Sequence, residues 1–128
     1  MQKMTTFLMF EDRTQEAIDF YLSVFKNSKV VNQINNETDK TDAVQFRVIK
    51  INDMELILFD SPVHHEFTFT PAISLFINCE SEEEINNLFE KITSDGSVLM
   101  PLDIYPFAKK YAWVADKFGV TWQLSFNE

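Results

Sequence analysis

The sequence predicts an α+β fold in which two βαβββ modules follow one another along 128 residues. Several short segments alternate apolar and polar side chains with the two-residue period of a strand. Two other segments repeat apolar side chains at the three- and four-residue spacing of a helix. A shift of 67 residues, which places Ile18 on Ile85 and Leu8 on Leu75, superimposes the pattern of the first half on that of the second.

The first half opens with a strand and a helix. Residues 5–10 alternate as a half-buried strand does. The polar break that follows ends at Thr14, which is predicted to cap a helix over residues 15–27. The buried stripe of that helix consists of Ile18, Tyr21, Leu22 and Phe25.

Three further strands complete the first module, which spans about residues 1–60. A short strand at residues 30–31 leads into a polar stretch, residues 32–42, that is predicted as a loop or hairpin tip. Residues 44–48 alternate as a half-exposed strand, and an Asn-Asp turn joins them to a more buried strand over residues 54–59. Residues 60–71 carry two prolines and two histidines and are predicted to connect the modules.

The second module, residues 72–128, repeats this order within the same domain. A strand over residues 72–77 precedes Ser81, an N-cap followed by three glutamates that complement the helix dipole. The buried stripe of this helix is Ile85, Leu88, Phe89 and Ile92. A short strand at residues 98–100, a loop over residues 101–109 and a closing hairpin, residues 111–126, follow.

The composition narrows the possible partners and compartment. A formal net charge of −9 repels phosphate backbones and anionic lipid, which disfavours nucleic-acid and membrane partners. No apolar run approaches the roughly 20 residues that span a bilayer. The single cysteine, Cys79, excludes an internal disulfide, suits a reducing cytoplasm and is predicted to be buried at a strand end. Two glycines, Gly96 and Gly119, are too few for a phosphate-binding loop.

Four stretches of the chain resemble one known family. They are EAIDFYLSVF (16–25), FTPAISLFINCESEEEI (69–85), GSVLMPLDIYPF (96–107) and WVADKFGVTWQL (113–124). Through them the chain resembles the PhnB-like group of the vicinal oxygen chelate superfamily, which includes glyoxalase I, extradiol dioxygenases and bleomycin-binding proteins. The resemblance implies curved mixed sheets around a shared pocket, the glyoxalase/bleomycin resistance fold, and a homodimer. It transfers no reaction, because function depends on the site and not on the fold.

Superfamily enzymes hold a metal with His, His and Glu or Gln on the first and last strand of each module. The repeat carries these positions onto Thr5, Ala72, Gln123 and Leu56, or onto Ile57 if the first turn differs by one residue. One hydroxyl and one amide cannot hold iron, nickel, zinc or manganese tightly, so no metal and no cofactor are predicted. Glu55 would enter only if the strand slipped by one residue, which would turn Leu56 to the other face.

An apolar cup is the predicted ligand site. If the strands curve around a cavity, their inward faces supply apolar walls, and Thr5 and Gln123 supply polar anchors. The predicted pocket residues are Thr5, Phe7, Met9, Phe46, Tyr105, Trp113 and Gln123. A filled core without a cavity is the open alternative.

Other candidate groups have structural explanations beside functional ones. His64 and His65 point opposite ways on an extended chain, so they are predicted to be solvated, although one could act as a general base if the connector covers a pocket. Asp103 and Tyr105 are placed in the loop bordering the pocket, with the tyrosine alternatively packed and its hydroxyl in water. Asp116 is predicted to hold the last turn through side-chain-to-backbone hydrogen bonds.

Three functions stay open from the sequence. The favoured one is metal-independent binding of a small, mostly apolar molecule by a PhnB-like protein. The second is a metal-dependent lyase, isomerase or dioxygenase of the same superfamily, and the third is a structural or interaction protein with a closed core. Methyl transfer is disfavoured, because a methyl-donor site normally needs a Gly-rich loop in a Rossmann-like unit.

Overall fold

Two helices and eight strands make up the protein in a computed structural model that describes residues 2–35 and 45–128. The chain divides into two compact units, Met1–His65 and Glu66–Glu128. The first unit contains β1 (Thr6–Phe10), α1 (Thr14–Val24), β2 (Ser28–Asn35), β3 (Gln45–Ile51) and β4 (Met54–Asp60). The second contains β5 (Ser74–Asn78), α2 (Glu82–Thr93), β6 (Ser97–Tyr105), β7 (Ala108–Ala115) and β8 (Thr121–Phe126).

Both units have the same topology. The strand orders are β1-β4-β3-β2 and β5-β8-β7-β6, and in each sheet the first strand of the unit runs parallel to the last. The other neighbouring strands are antiparallel. The predicted α+β fold of two βαβββ modules is therefore confirmed. No helix among the described residues is long and apolar enough to cross a membrane.

In the first unit, one face of the sheet packs on α1. Arg47 on β3 donates a hydrogen bond to Gln15 on α1 at 2.8 Å, which identifies that face. Leu8 and Leu58 lie in register with Arg47 and are buried on the same face. The side chains at odd positions of β1 and β4 therefore lie on the opposite face.

The first turn of α1 is stabilised from a distant strand. The prediction that Thr14 is the N-cap is wrong, because Thr14 is already helical and Arg13 precedes the helix without a capping side chain. The carboxylate of Asp60, at the end of β4, instead accepts hydrogen bonds from the backbone N–H groups of Arg13 and Thr14, both at 3.0 Å. The Thr14 hydroxyl donates to the same oxygen at 2.8 Å. Asp60 thus supplies the acceptor that the helix start needs.

The helix of the second unit begins as predicted. The Ser81 hydroxyl accepts a hydrogen bond from the backbone N–H of Glu84 at 3.0 Å, so it is the N-cap of α2. Lys110 on β7 donates to Glu82 and Asn86 of α2, at 3.0 and 2.9 Å, which identifies the sheet face that packs on this helix. The buried side chains of that layer include Ile85, Leu88, Ile92, Ala112, Val114 and Leu124.

Two strands are longer than the sequence predicts. β2 continues through Asn35, so residues 32–35 are strand and not loop, while residues 36–42 of that predicted loop lie outside the described residues. β6 extends through Tyr105, and the predicted loop over residues 101–109 is wrong. Its register with β7 shifts three times, which breaks the two-residue alternation, and Pro101 is tolerated because β6 is an edge strand.

The turn between β7 and β8 is built around one buried carboxylate. Asp116 is 3% exposed, and its Oδ1 accepts hydrogen bonds from the backbone N–H groups of Phe118 and Val120 at 2.9 and 3.1 Å. This confirms the predicted turn role. Its Oδ2 also accepts a hydrogen bond from the indole N–H of Trp122 at 3.0 Å, so the same group connects the turn to the strand that follows.

Candidate functional site

The candidate site lies on the second sheet, on the face opposite α2. Phe76, Gln123 and Trp113 are direct cross-strand neighbours on β5, β8 and β7, and Met100 on β6 continues the row. Phe76 is 55% exposed, while Gln123 and Trp113 are half-buried. An amide side chain therefore sits between two aromatic ones on a surface that solvent partly reaches.

The Gln123 side chain is held at both ends. Its Oε1 accepts a hydrogen bond from the Tyr111 hydroxyl at 2.6 Å, and its Nε2 donates to the Ser74 hydroxyl at 3.0 Å. These contacts form a diagonal across β7, β8 and β5. Because both ends of the amide are engaged, its orientation is set before any ligand arrives, which lowers the entropy cost of using it in binding.

Aromatic packing holds the tyrosine of this diagonal. Tyr111 makes edge-to-face contacts with Tyr105 and Phe107, with ring centroids 5.4 and 4.8 Å apart. Burial, with a smaller contribution from Tyr105, raises the pKa of the Tyr111 hydroxyl above its ordinary value. The hydroxyl therefore stays protonated near neutral pH and remains a hydrogen-bond donor to Gln123.

The indole nitrogen of Trp113, on the same face, is a buried hydrogen-bond donor. This Nε1 atom has no hydrogen-bond partner within residues 2–35 and 45–128. A buried donor without an acceptor costs about 1–3 kcal/mol. Such groups are uncommon in folded proteins and call for a specific explanation at each position.

The equivalent face of the first unit is apolar. Phe7, Phe46 and Phe59 form a ring cluster with centroid separations of 6.0, 5.7 and 4.9 Å. Met9 pairs with Phe59 on the same face, and Phe7 is 47% exposed. Three of the predicted pocket residues, Phe7, Met9 and Phe46, are therefore neighbours, whereas Trp113 and Gln123 are neighbours in the second unit.

The remaining predicted positions lie near strand ends. Thr5 directly precedes β1 and is half-buried, while Ala72 lies exposed in a turn before β5, which starts later than predicted. Tyr105 is the last residue of β6 and not part of a loop. Its ring packs against Tyr111, as the packed alternative expects, and its hydroxyl donates to the carbonyl of Pro101 at 2.7 Å.

The last-strand position of the first unit needs a correction. Phe46 pairs with Phe59 as Trp113 pairs with Gln123, so Phe59 is the counterpart of Gln123, and the expectation of Leu56 or Ile57 is wrong. The cause is turn length: residues 52–53 connect β3 and β4, whereas residues 116–120 connect β7 and β8.

The expectation that Glu55 reaches this face only after a slip of register is also wrong. Glu55 already lies on the same sheet face as Phe59, opposite buried Leu56. It forms an ion pair with Lys3 at 2.7 Å, and the hydrogen bond from Lys3 lowers the pKa of its carboxyl group.

The superfamily metal site does not fit this chain. The four corresponding positions hold Thr5, Ala72, Phe59 and Gln123, which offer one hydroxyl and one neutral amide. Divalent transition metals in proteins need several imidazole, thiolate or carboxylate donors. Among the described residues, His, Cys, Asp and Glu side chains also form no group of three that could hold a metal elsewhere.

The connector histidines are tied to neighbouring groups. One oxygen of the Glu11 carboxylate lies 3.0 Å from Nδ1 of His64, and the other accepts the backbone N–H of His65 at 3.0 Å. These hydrogen bonds lower the pKa of Glu11 below its ordinary value, the His64 contact contributing most. His65 Nε2 lies 2.9 Å from the Ser61 hydroxyl. Both histidines thus have protein partners, and the His64 side chain is 74% exposed, in line with the expectation that it is solvated.

Cys79 follows β5 and is buried, as predicted. Burial, followed by the charge of Glu84, raises the pKa of its thiol to about 12. A thiol with so high a pKa carries almost no thiolate at neutral pH, and the thiolate is the nucleophilic form. Cys79 therefore has a packing role.

Ser74, Phe76 and Tyr111 are site residues that sequence reasoning missed. Their side chains alternate correctly with their neighbours, so the face they occupy could be predicted from parity. Their contact with Gln123 depends on how β5, β8 and β7 align. The register between strands that are distant in sequence cannot be predicted from the local pattern of apolar and polar residues.

Comparisons with known proteins agree with this architecture. A family model described as 3-demethylubiquinone-9 3-methyltransferase matches residues 2–125. A PhnB protein from Bacillus cereus is 45% identical, with a TM-score of 0.87 over 98% of this chain and 99% of that one. A search of the curated proteins finds no match.

More distant structures share the fold. A Pseudomonas aeruginosa protein is 20% identical, with a TM-score of 0.85 over 99% of this chain and 98% of that one. A glyoxylase/bleomycin resistance protein/dioxygenase domain from Frankia sp. is 13% identical, with a TM-score of 0.75 over 100% and 93% of the two chains. The fold is therefore the glyoxalase/bleomycin resistance fold, and the PhnB-like resemblance is confirmed.

Proposed function

We propose that this chain, which belongs to the PhnB-like family described as 3-demethylubiquinone-9 3-methyltransferase, binds a small, mostly apolar molecule without a metal ion. The observation that carries the proposal is the Gln123 amide, held by Tyr111 and Ser74 between two aromatic side chains. Small-molecule sites are commonly lined by apolar and aromatic groups with a few fixed polar ones.

The sheet faces opposite the helices supply the contacts in this proposal. In the second unit, Trp113 and Gln123 contact the ligand, and Tyr105 supports Tyr111 from the side. In the first unit, Phe7, Met9 and Phe46 give an apolar surface, of which Phe7 is the most exposed member. Thr5, at the start of β1, is the polar residue that we assign to that surface.

The family description names a methyl transfer reaction, which we do not propose for this chain. Methyl-donor sites of the Rossmann type use a parallel sheet and a Gly-rich loop at a helix start. The sheets described here are mixed and four-stranded, and the chain has two glycines. The donor set at the superfamily metal positions likewise gives no basis for a metal-dependent reaction.

Titration with prodan, an uncharged aromatic ketone whose emission shifts to the blue in apolar surroundings, tests the proposal. We expect saturable binding that EDTA leaves unchanged. Phe76→Asp should weaken binding at least about tenfold, equivalent to about 1.4 kcal/mol, because it places a charge beside the apolar ligand. Phe7→Asp tests the face of the first unit in the same way.

Met54→Asp is the matched control for both variants. Met54 is 50% exposed, close to the 55% of Phe76, but lies at the start of β4 on the helix side of its sheet. Prodan affinity should change less than twofold. Absence of saturable binding, loss of binding in EDTA, or equal effects of Phe76→Asp and Met54→Asp would contradict the proposal.

A homodimer in a reducing, cytoplasmic compartment completes the proposal. Edge strand β6 carries three exposed apolar side chains, Val98, Leu99 and Ile104, which a second copy would cover. The free thiol of Cys79 suits a reducing compartment. Light scattering after size exclusion should give about twice the 15.0 kDa chain mass, and Ile104→Lys should lower it. A mass of one chain across the micromolar range would contradict the dimer.

A further inference from the structure

We infer that the ligand of the second-unit face is an uncharged molecule that presents a carbonyl oxygen as hydrogen-bond acceptor. This inference rests on the proposed function and names the ligand class for the same site. The net charge of −9 alone would favour a cationic ligand. The hydrogen bonds around Gln123 instead favour an uncharged ligand that accepts hydrogen bonds.

The diagonal through Gln123 leaves N–H and O–H groups without an acceptor. The Tyr111 hydroxyl gives its single proton to Gln123 Oε1, in a bond of 2.6 Å. Gln123 Nε2 carries two N–H groups, of which one donates to the Ser74 hydroxyl at 3.0 Å. The amide oxygen already accepts one bond, and the second amide N–H has no acceptor among the residues that the structure describes.

The neighbours of Gln123 add two more donors. Ser74 accepts from Gln123, and its own hydroxyl proton has no acceptor among the residues that the structure describes. Trp113 is the direct cross-strand neighbour of Gln123, and its buried indole N–H likewise lacks an acceptor there. An indole nitrogen can only donate. Three N–H or O–H groups on neighbouring strands, of which the Trp113 indole is buried, thus have no acceptor among the described residues.

The carboxylate of Asp103 lies on edge strand β6, two strands from Gln123 on β8, so it places no acceptor beside the donors of Gln123. Asp103, the carboxylate in register with Tyr111, is exposed and already accepts the backbone N–H of Ile104 at 2.7 Å. The Thr121 hydroxyl on the neighbouring row donates to the carbonyl of Ile73 at 2.7 Å. A ligand ammonium group would therefore face donors at the centre of the site.

The surrounding side chains define the rest of the ligand. Phe76 and Trp113 flank Gln123 in one row, and Tyr111 lies in the next. Aromatic side chains favour a flat apolar body, which they contact by stacking or edge-to-face packing. The ligand class is accordingly a flat, uncharged carbonyl compound whose oxygen points to Gln123, Ser74 and Trp113.

Three compounds with one carbon skeleton test the inference: 1-indanone, indane and 1-aminoindane. Competition against prodan should show 1-indanone binding at least about tenfold more tightly than indane, since only the ketone satisfies the waiting donors. The amine, which is cationic at neutral pH, should bind no better than indane. Trp113→Phe and Ser74→Ala should each lower 1-indanone affinity severalfold more than they lower indane affinity, because only the ketone uses the N–H and O–H groups that these variants remove.

The two tryptophans provide a direct readout with an internal control. In ¹H–¹⁵N spectra, 1-indanone should move the indole N–H signal of Trp113, assigned by its loss in Trp113→Phe. The indole signal of Trp122, which is bonded to Asp116, should stay in place and report that the variants are folded. Because this signal needs no activity, the test does not depend on any reaction.

The outcomes separate the inference from the function it rests on. Equal binding of indane and 1-indanone, tightest binding of 1-aminoindane, or an unmoved Trp113 signal at saturating 1-indanone would overturn the carbonyl assignment and leave apolar binding intact. If neither prodan nor any of the three compounds binds, the proposed function fails and the inference fails with it.

Discussion

Replacing Asp116 by alanine should lower the free energy of unfolding by about 3 kcal/mol, measured by urea denaturation. The carboxylate is buried and accepts hydrogen bonds from Phe118, Val120 and Trp122. Its removal leaves three donors without their acceptor, and each costs about 1–3 kcal/mol if no water reaches it. The turn also fixes β7 against β8, so prodan binding at Trp113 and Gln123 should weaken as well.

Two further variants make this result specific. Asp116→Asn keeps one oxygen but turns an N–H₂ group toward either the turn or the Trp122 indole, so an intermediate loss is expected. Asp95→Ala removes an exposed carboxylate from the turn after α2 and should change stability by less than about 0.5 kcal/mol. If Asp116→Ala and Asp95→Ala lose similar amounts, the buried carboxylate does not hold the turn.

Gly96→Ala should also destabilise the protein by about 3 kcal/mol, the upper part of the range for overpacking. A Cβ atom at Gly96 would overlap the backbone carbonyl oxygen of Ala115 and lie 2.9 Å from that of Ile92. Both neighbours are backbone atoms, so the contact cannot be relieved by a side-chain rotation. The strain would separate β6 from β7 or displace the end of α2. Thermal and urea unfolding measure the loss.

Gly119→Ala is the matched comparison, because its constraint is conformational and not steric. A Cβ there would meet only Phe69 Cβ at 3.8 Å, but Gly119 has φ of +93°. Holding an alanine in that region costs about 1–2 kcal/mol. A loss from Gly96→Ala no larger than that from Gly119→Ala would show that the close approach at Gly96 is absent in solution.

Much of the fold follows from local pattern. The two-residue alternation of β1, β4, β7 and β8 and the apolar stripes of both helices identify elements without any long-range information. The Ser81 cap was predictable because its partner, Glu84, lies three residues away. The acceptor for α1 was not, because Asp60 lies 46 residues beyond Thr14 in the chain. Only residues 98–100 of β6 were predicted as strand, because its shifted register removes the alternation beyond them.

The candidate site divides in the same way. Parity alone places Gln123 on the face opposite Trp122 and Leu124, and the structure agrees. The first-unit counterpart was misplaced at Leu56 because two turns of different length shift the repeat between its third and fourth strands. The partners of Gln123 depend on the alignment of three strands from both ends of the unit. Such contacts are properties of the folded sheet.

Phe59 and Gln123 occupy the same place in two copies of one architecture, and neither side chain is needed to seat a helix. Each module has one sheet face that packs on its helix and one face that does not. The helix-facing positions preserve the scaffold, while the opposite positions are free to diverge in chemistry. In the first unit that position holds an aromatic ring and in the second an amide fixed by two hydrogen bonds, so the two copies agree on their helix-facing side and differ in chemistry on the other.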